Sequence, residues 1–160
     1  MPAIIEVEQR SPEEMRAGIL KLEAAMKAML DSQVDLKVEH HFAPGIYMRA
    51  LLIPKGTCLT GKIHKTEHLN ILSQGEMTVW TEGGMKRIQA STVVKSLPGI
   101  KRAGFAHEDS VWITVHANPT EEPDAEKLEE MLVVDTFEEF LFHMESKQLT
   151  EGAGICHSSP

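Results

Sequence analysis

The sequence predicts a mainly β domain, a small antiparallel barrel or sandwich, with one helix before it and helices after it. Three patterns carry this. Turn-forming clusters punctuate residues 36–118 at short intervals. A helical apolar period fills 11–31, and helical patterning returns over 123–148.

The first helix is signalled by Ser11 as N-cap, Pro12 in the first turn and Glu14 completing a capping-box pattern. Met15, Ile19, Leu22, Met26 and Met29 then recur at spacings of three and four, along one face. That face can pack on its own domain or, being Met-rich, against a second copy. In the middle zone the breaks are Ala43-Pro44-Gly45, Pro54-Lys55-Gly56, Ser73-Gln74-Gly75-Glu76, Glu82-Gly83-Gly84, Pro98-Gly99 and Glu108-Asp109-Ser110. Strand-like segments lie between them at 46–53, 69–72, 77–81, 85–88, 92–94 and 111–116. Closing such a sheet removes its exposed edges. Beyond it, Pro123 and Asp124 open an acidic helix through Leu132. Asp135 or Thr136 caps another, with Phe137, Phe140, Leu141 and Met144 on one face and Glu138 and Glu139 favouring its dipole. The expected division is a helical extension at 1–35, a β domain at 36–118, a helical segment at 119–150 and a flexible tail at 151–160.

Composition bounds the function. The chain has 160 residues, 42% apolar and 25% charged, which suits one globular domain rather than disorder. With 16 Lys and Arg against 24 Asp and Glu, the formal net charge is -8, which argues against general nucleic-acid binding. A local basic pocket remains compatible with that charge. Cys58 and Cys156 do not make a disulfide scaffold. No apolar run reaches the roughly 18 residues of a membrane span, and the N-terminus does not read as a signal peptide. The expectation is a cytoplasmic protein with no membrane contact.

The densest chemistry is Gly61-Lys62-Ile63-His64-Lys65-Thr66-Glu67-His68. Read as H-x-x-E-H, residues 64–68 would be an inverted zinc-protease motif, which requires a helix. Gly56, Gly61 and Gly75 and the flanking strand patterns disfavour a helix. Read on strands with unbroken alternation, Lys62, His64, His68 and Asn70 share an interior face, while Ile63, Leu69 and Ile71 pack outward.

The spacing of Gly56, five residues, Lys62-Ile63-His64, three residues, His68, six residues, Gly75 resembles the first motif of the cupin superfamily. Leu97-Pro98-Gly99-Ile100-Lys101-Arg102 resembles the second. The strings GKIHKTEHLNIL and KRAGFAHEDSVW are similar to small cupin proteins encoded by tailed bacteriophages. The resemblance covers about 36–118 and implies a single jelly-roll β-barrel, commonly a homodimer. Two positions of the first motif depart from it: Lys62 stands where a His is expected, and His68 where a Glu is. In the second motif Arg102 stands where the third His is expected. Since cupins host unrelated activities, function must come from the site itself.

Lys62 and Arg102 are cations, and Arg offers no lone pair, so they raise the cost of a neighbouring metal. Two His alone make an incomplete site. His116 shares strand parity with Trp112 and Thr114, because Val111, Ile113 and Val115 form the better outward set. One reading is therefore a divalent metal (Zn, Fe, Mn or Ni) held by His64, His68 and His116, with His107 as an alternative ligand. The other is a cationic pocket of Lys62, His64, His68, Asn70, Arg102, Trp112 and His116 holding a small anionic molecule, such as a metabolite or nucleotide. A third is a structural network in which these groups pair with Glu67, Glu76, Glu108 or Asp109.

His40-His41, His143 and His157 read as surface residues, Cys58 as a small buried apolar group, and Trp80 and Trp112 as core or pocket wall. The acidic run 121–130 reads as a solvated helix face, without calcium-loop spacing.

The leading function is small-molecule binding. The alternatives are a metal-dependent cupin enzyme (oxygenase, isomerase or lyase) and a structural phage component with a vestigial pocket. In the enzyme, Lys62, Arg102 or Glu67 would hold substrate or move a proton. The phage resemblance implies the host cytoplasm or the virion as the location.

Overall fold

The computed structural model describes residues 10–152. The N-terminal helix α1 spans Pro12–Ala28, and both bonds of its capping box form: Glu14 N donates to Ser11 Oγ at 3.2 Å, and Ser11 N to Glu14 Oε2 at 2.8 Å. The helix stops a turn before residue 31. Met29 caps it and a short 3₁₀ turn, Leu30–Ser32, follows, which leaves Met29 exposed. The remaining apolar positions of the stripe pack on the domain's own strands, with Ile19 buried.

The strands are β1 (Lys37–Ala43), β2 (Ile46–Ile53), β3 (Cys58–Thr60), β4 (Ile63–His64), β5 (His68–Gln74), β6 (Glu76–Thr81), β7 (Gly84–Gln89), β8 (Thr92–Ser96), β9 (Ala103–Ala106) and β10 (Ser110–Ala117). Then come α2 (Ala125–Leu132), β11 (Val133–Val134) and α3 (Phe137–Gly152). A five-stranded antiparallel sheet runs β1-β2-β10-β5-β8, a four-stranded one β3-β9-β6-β7, and among the described residues β4 pairs only with β11. The mainly β, antiparallel expectation is met, and the strands fall into separate sheets. Hydrogen bonding does not run round a ring, and the layers join through side chains and corner bonds such as Gly56 N to Ala106 O and Ala90 N to Gly75 O. The corner at Gly75 needs glycine: its φ is +86°, and a Cβ there would run into Asp109 O and Ser110.

Strand alternation sorts the faces. Tyr47, Leu51 and Ile53 of β2, Asn70 and Leu72 of β5, and Trp112, Thr114 and His116 of β10 occupy matching register positions on the inner face. Ile53 and Leu72 meet Met77 of β6 and Ala106 of β9 in the core between the layers. The segment around His40-His41, expected at the surface, is strand β1, and both residues are exposed. His40 Nδ1 lies 2.8 Å from Tyr47 Oη. The expected tail does not begin at residue 151, since Glu151 and Gly152 complete α3; Cys156 and His157 lie outside the described residues.

Helix α1 is fastened by charge. Lys101 is only 2% exposed, and its Nζ donates to Glu23 Oε1 at 2.8 Å, which also accepts from Thr60 Oγ1 at 3.0 Å. Arg16 bonds Glu82 Oε1 at 3.0 Å, and its guanidinium lies 3.7 Å from the centroid of the Phe137 ring in α3. Among the described residues no helix is long and apolar enough to cross a membrane.

Removing Glu23 strands the buried Lys101 ammonium. Glu23→Ala is expected to cost about 3 kcal/mol in urea denaturation, and Glu23→Leu with Lys101→Met less than that. Equal losses in both would refute the buried-pair account.

Candidate functional site

The turn at residues 65–67 decides the site. It breaks the strand alternation after β4 and restarts it at β5, so 64–68 is not helical and the zinc-protease spacing is not realised. His64 from β4, His68 from β5 and His116 from β10 converge. Their ring centroids lie 4.0 Å (64–68), 5.0 Å (64–116) and 4.8 Å (68–116) apart. One ring nitrogen from each lies within 4.8 Å of the others.

His68 Nδ1 sits 3.0 Å from Thr66 O, and a carbonyl can only accept. The ring therefore carries its proton on Nδ1, leaving Nε2 with a free lone pair. His68 Nε2, His64 Nδ1 and His116 Nδ1 are all buried without a hydrogen-bond partner among the described residues. Burial, reinforced by the neighbouring imidazoles and by Arg102 and Arg49, pushes His64 down to about 2. Burial and His68 push His116 down to about 4, and burial lowers His68 against the opposing bond to Thr66. Near neutral pH all three are uncharged bases.

Beside the triad lies a polar belt. Asn70, 1% exposed, donates from Nδ2 to Ser96 Oγ at 2.8 Å; its Oδ1 accepts from Trp112 Nε1 at 3.1 Å and Thr114 Oγ1 at 3.0 Å. Arg102 donates to the same Ser96 Oγ at 2.6 Å, and its guanidinium carbon lies 5.6 Å from the Trp112 ring centroid. Its Nε is buried without a partner, no carboxylate pairs with it among the described residues, and burial pulls its pKa downward. Asn70, Arg102, Trp112 and Thr114 border a cavity of about 430 Å³, with Leu51, Ile53, Leu59, Met77 and Val79 on its apolar wall.

His64, His68, Asn70, Arg102, Trp112 and His116 thus stand together. Two expected residues do not join them. Lys62 reaches the cavity rim only. Its half-exposed ammonium pairs with Glu129 Oε1 at 2.8 Å and Asp135 Oδ1 at 3.4 Å, because α2 and β11 bring these carboxylates over β4. His107 is not part of the triad. It follows β9 on the other sheet, with Nε2 2.7 Å from Thr78 Oγ1. Glu67 is likewise outside, paired with Lys95. The expected outward set also splits, with Ile63 buried and Leu69 exposed. Sequence reasoning missed Arg49, which lines the cavity and has no ion pair among the described residues. Its alternation with Tyr47, Leu51 and Ile53 along β2 was the available signal. A wider groove of about 1000 Å³ between α2, β11 and α3 lacks the triad and is lined by more carboxylates than lysines.

No protein-family model matches the chain, and no curated protein matches it. Similar folds occur among solved structures. The KdgF protein from a Halomonas species is 14% identical, with 61% of this chain and 88% of that chain covered at a TM-score of 0.49. A cupin 2 conserved barrel domain protein from Salinispora arenicola is 15% identical, with 56% and 82% covered at 0.46. A cupin superfamily protein from Desulfitobacterium hafniense is 8% identical, with 53% and 79% covered at 0.46.

The histidine geometry sets a pH dependence. Unfolded imidazoles titrate near 6.5, so below that pH the unfolded chain takes up protons that the folded one refuses. Stability of the metal-free protein is full above about pH 6.5. It falls as the pH drops towards 4, by up to about 1.4 kcal/mol per pH unit for each histidine. Urea midpoints at pH 7 and pH 4.5 are expected to show this fall, and His64→Phe to flatten it. A wild-type midpoint that does not move would refute it.

Proposed function

We propose that this chain is a cupin-type domain whose three histidines hold one divalent metal ion beside a pocket for a small anionic molecule. The observation that carries the reading is that one ring nitrogen from each of three histidines lies within 4.8 Å of the others, and that each ring has a buried nitrogen without a partner among the described residues. Buried polar atoms are normally satisfied, and leaving one unmet costs about 1–3 kcal/mol. Three in one spot suit a ligand that accepts three lone pairs. Neutral imidazole is a suitable donor for zinc, iron or nickel, and the Thr66 carbonyl gives His68 the outer-sphere support that metal-bound histidines commonly have.

His64, His68 and His116 would hold the metal. When bound, it supplies a Lewis acid with positions open to a further ligand. The chain's own groups do the rest. Arg102 presents Nε to an oxyanion, steadied by Ser96 and faced by Trp112, and Arg49 adds a second positive charge at the cavity wall. The low dielectric of the interior strengthens both contacts. Leu51, Met77 and Val79 offer an apolar wall to the body of the same molecule.

A second reading is an anion pocket that works without a metal. It is favoured by the two arginines lacking carboxylate partners among the described residues. The two readings separate on protein purified without a polyhistidine tag. Elemental analysis is expected to find about one metal per chain after supplementation, lost in His64→Ala and His116→Ala. No metal in the wild type would leave the anion pocket alone. In a thermal-shift screen of carboxylates and phosphates, a bound anion at 100 times its dissociation constant stabilises by about 2.7 kcal/mol. Arg102→Ala is expected to abolish that shift while keeping the metal. If wild type and Arg102→Ala are equally silent to every anion, the anion pocket is refuted.

A further inference from the structure

The three imidazoles are not held in the same way. His68 belongs to β5 and His116 to β10, both interior strands of the five-stranded sheet. His64 stands on β4, a two-residue strand outside both large sheets, whose only ladder among the described residues is to β11: Val133 pairs with His64 and Val134 with Ile63. Apart from that ladder, the His64 carbonyl accepts one bond, from Gly99 N at 2.9 Å. The segment α2–β11 adds further grips on the same stretch. Lys65 N donates to Leu132 O at 2.8 Å, Lys65 Nζ to Glu130 O at 2.7 Å, and Lys62 pairs with Glu129 and Asp135. On its other side the segment packs Leu128 and Leu132 against Tyr47, whose ring stacks 6.3 Å from that of His116.

We propose that α2–β11 is a clasp that positions His64, so that closing the clasp and completing the three-histidine site are one coupled event. This rests on the metal reading above and goes beyond it, because it makes metal affinity depend on a segment that supplies no ligand. Coupling of this kind is reciprocal: what the clasp does for the metal, the metal does for the clasp. Residues that hold a metal ligand in place commonly change affinity by 10–100-fold when altered.

The probe is Zn²⁺ titrated into the full-length chain against a chromophoric chelator, with hydrogen exchange followed in parallel. Val133→Pro removes the N–H that caps α2 at Glu129 O, at the residue paired with His64, and is expected to weaken Zn²⁺ binding about tenfold or more. Lys62→Ala keeps the backbone and breaks the ion pairs to Glu129 and Asp135. Deleting a cation near a metal should by electrostatics alone tighten binding, so weaker binding in Lys62→Ala identifies the clasp. In the wild type, saturating Zn²⁺ is expected to slow exchange over residues 125–134 about tenfold more than over β6 and β7. Should Val133→Pro fail to fold, Lys62→Ala and the wild-type exchange still decide. Unchanged or tighter Zn²⁺ binding in Lys62→Ala, together with metal-independent exchange over 125–134, overturns the clasp. A wild-type chain that takes up no Zn²⁺, Fe²⁺, Mn²⁺ or Ni²⁺ overturns the metal reading itself.

Discussion

Three neutral imidazoles packed face to face in a low-dielectric interior are the constraint around which this domain is arranged. Each would be cheaper in water, where both ring nitrogens find partners. Here one nitrogen of each points into shared space with nothing among the described residues to meet it. Protonation is disfavoured, chiefly because burial penalises the charged ring, and further because the neighbouring imidazoles and guanidiniums oppose it. The surroundings answer the constraint locally. Asn70 bonds Trp112, Thr114 and Ser96, so these belt groups meet one another and not the imidazoles.

The two large sheets supply the stiffness that such a cluster needs. The core of Ile53, Leu72, Met77 and Ala106 ties β2 and β5 to β6 and β9 just past the polar belt. Inner-face positions on two neighbouring strands then present His116, Thr114 and Trp112 beside Asn70 and Leu72 in fixed register. The helices carry the opposite emphasis. They contribute few buried residues and many ionic links, from Lys101–Glu23 under α1 to Lys62–Glu129 over β4.

Much of this was legible in the residues. Turn clusters at Pro44-Gly45, Gly75 and Gly83-Gly84 marked the strand ends, because glycine and proline constrain the backbone locally. The capping box at Ser11 and Glu14 fixed a helix start for the same reason. The parity of Trp112, Thr114 and His116 pointed inward because β10 alternates without interruption along that stretch. What was illegible depended on distant pairing. Lys62 had the parity of an interior residue, but carboxylates 67 and 73 positions later in the chain draw its ammonium to the rim. Strand β4 is two residues long and exists through β11, which no local pattern announces. Arg49 sits in an otherwise apolar alternation and becomes meaningful only once β10 is beside it.

The chain contains a single tyrosine and two tryptophans. The tyrosine is Tyr47, stacked near His116, and one of the tryptophans is Trp112, beneath the Arg102 guanidinium. Two of its three strong chromophores therefore sit in the wall of the one cavity that matters. The molecule carries a built-in optical label there, and its ultraviolet absorbance and emission will respond to whatever enters, with no dye attached.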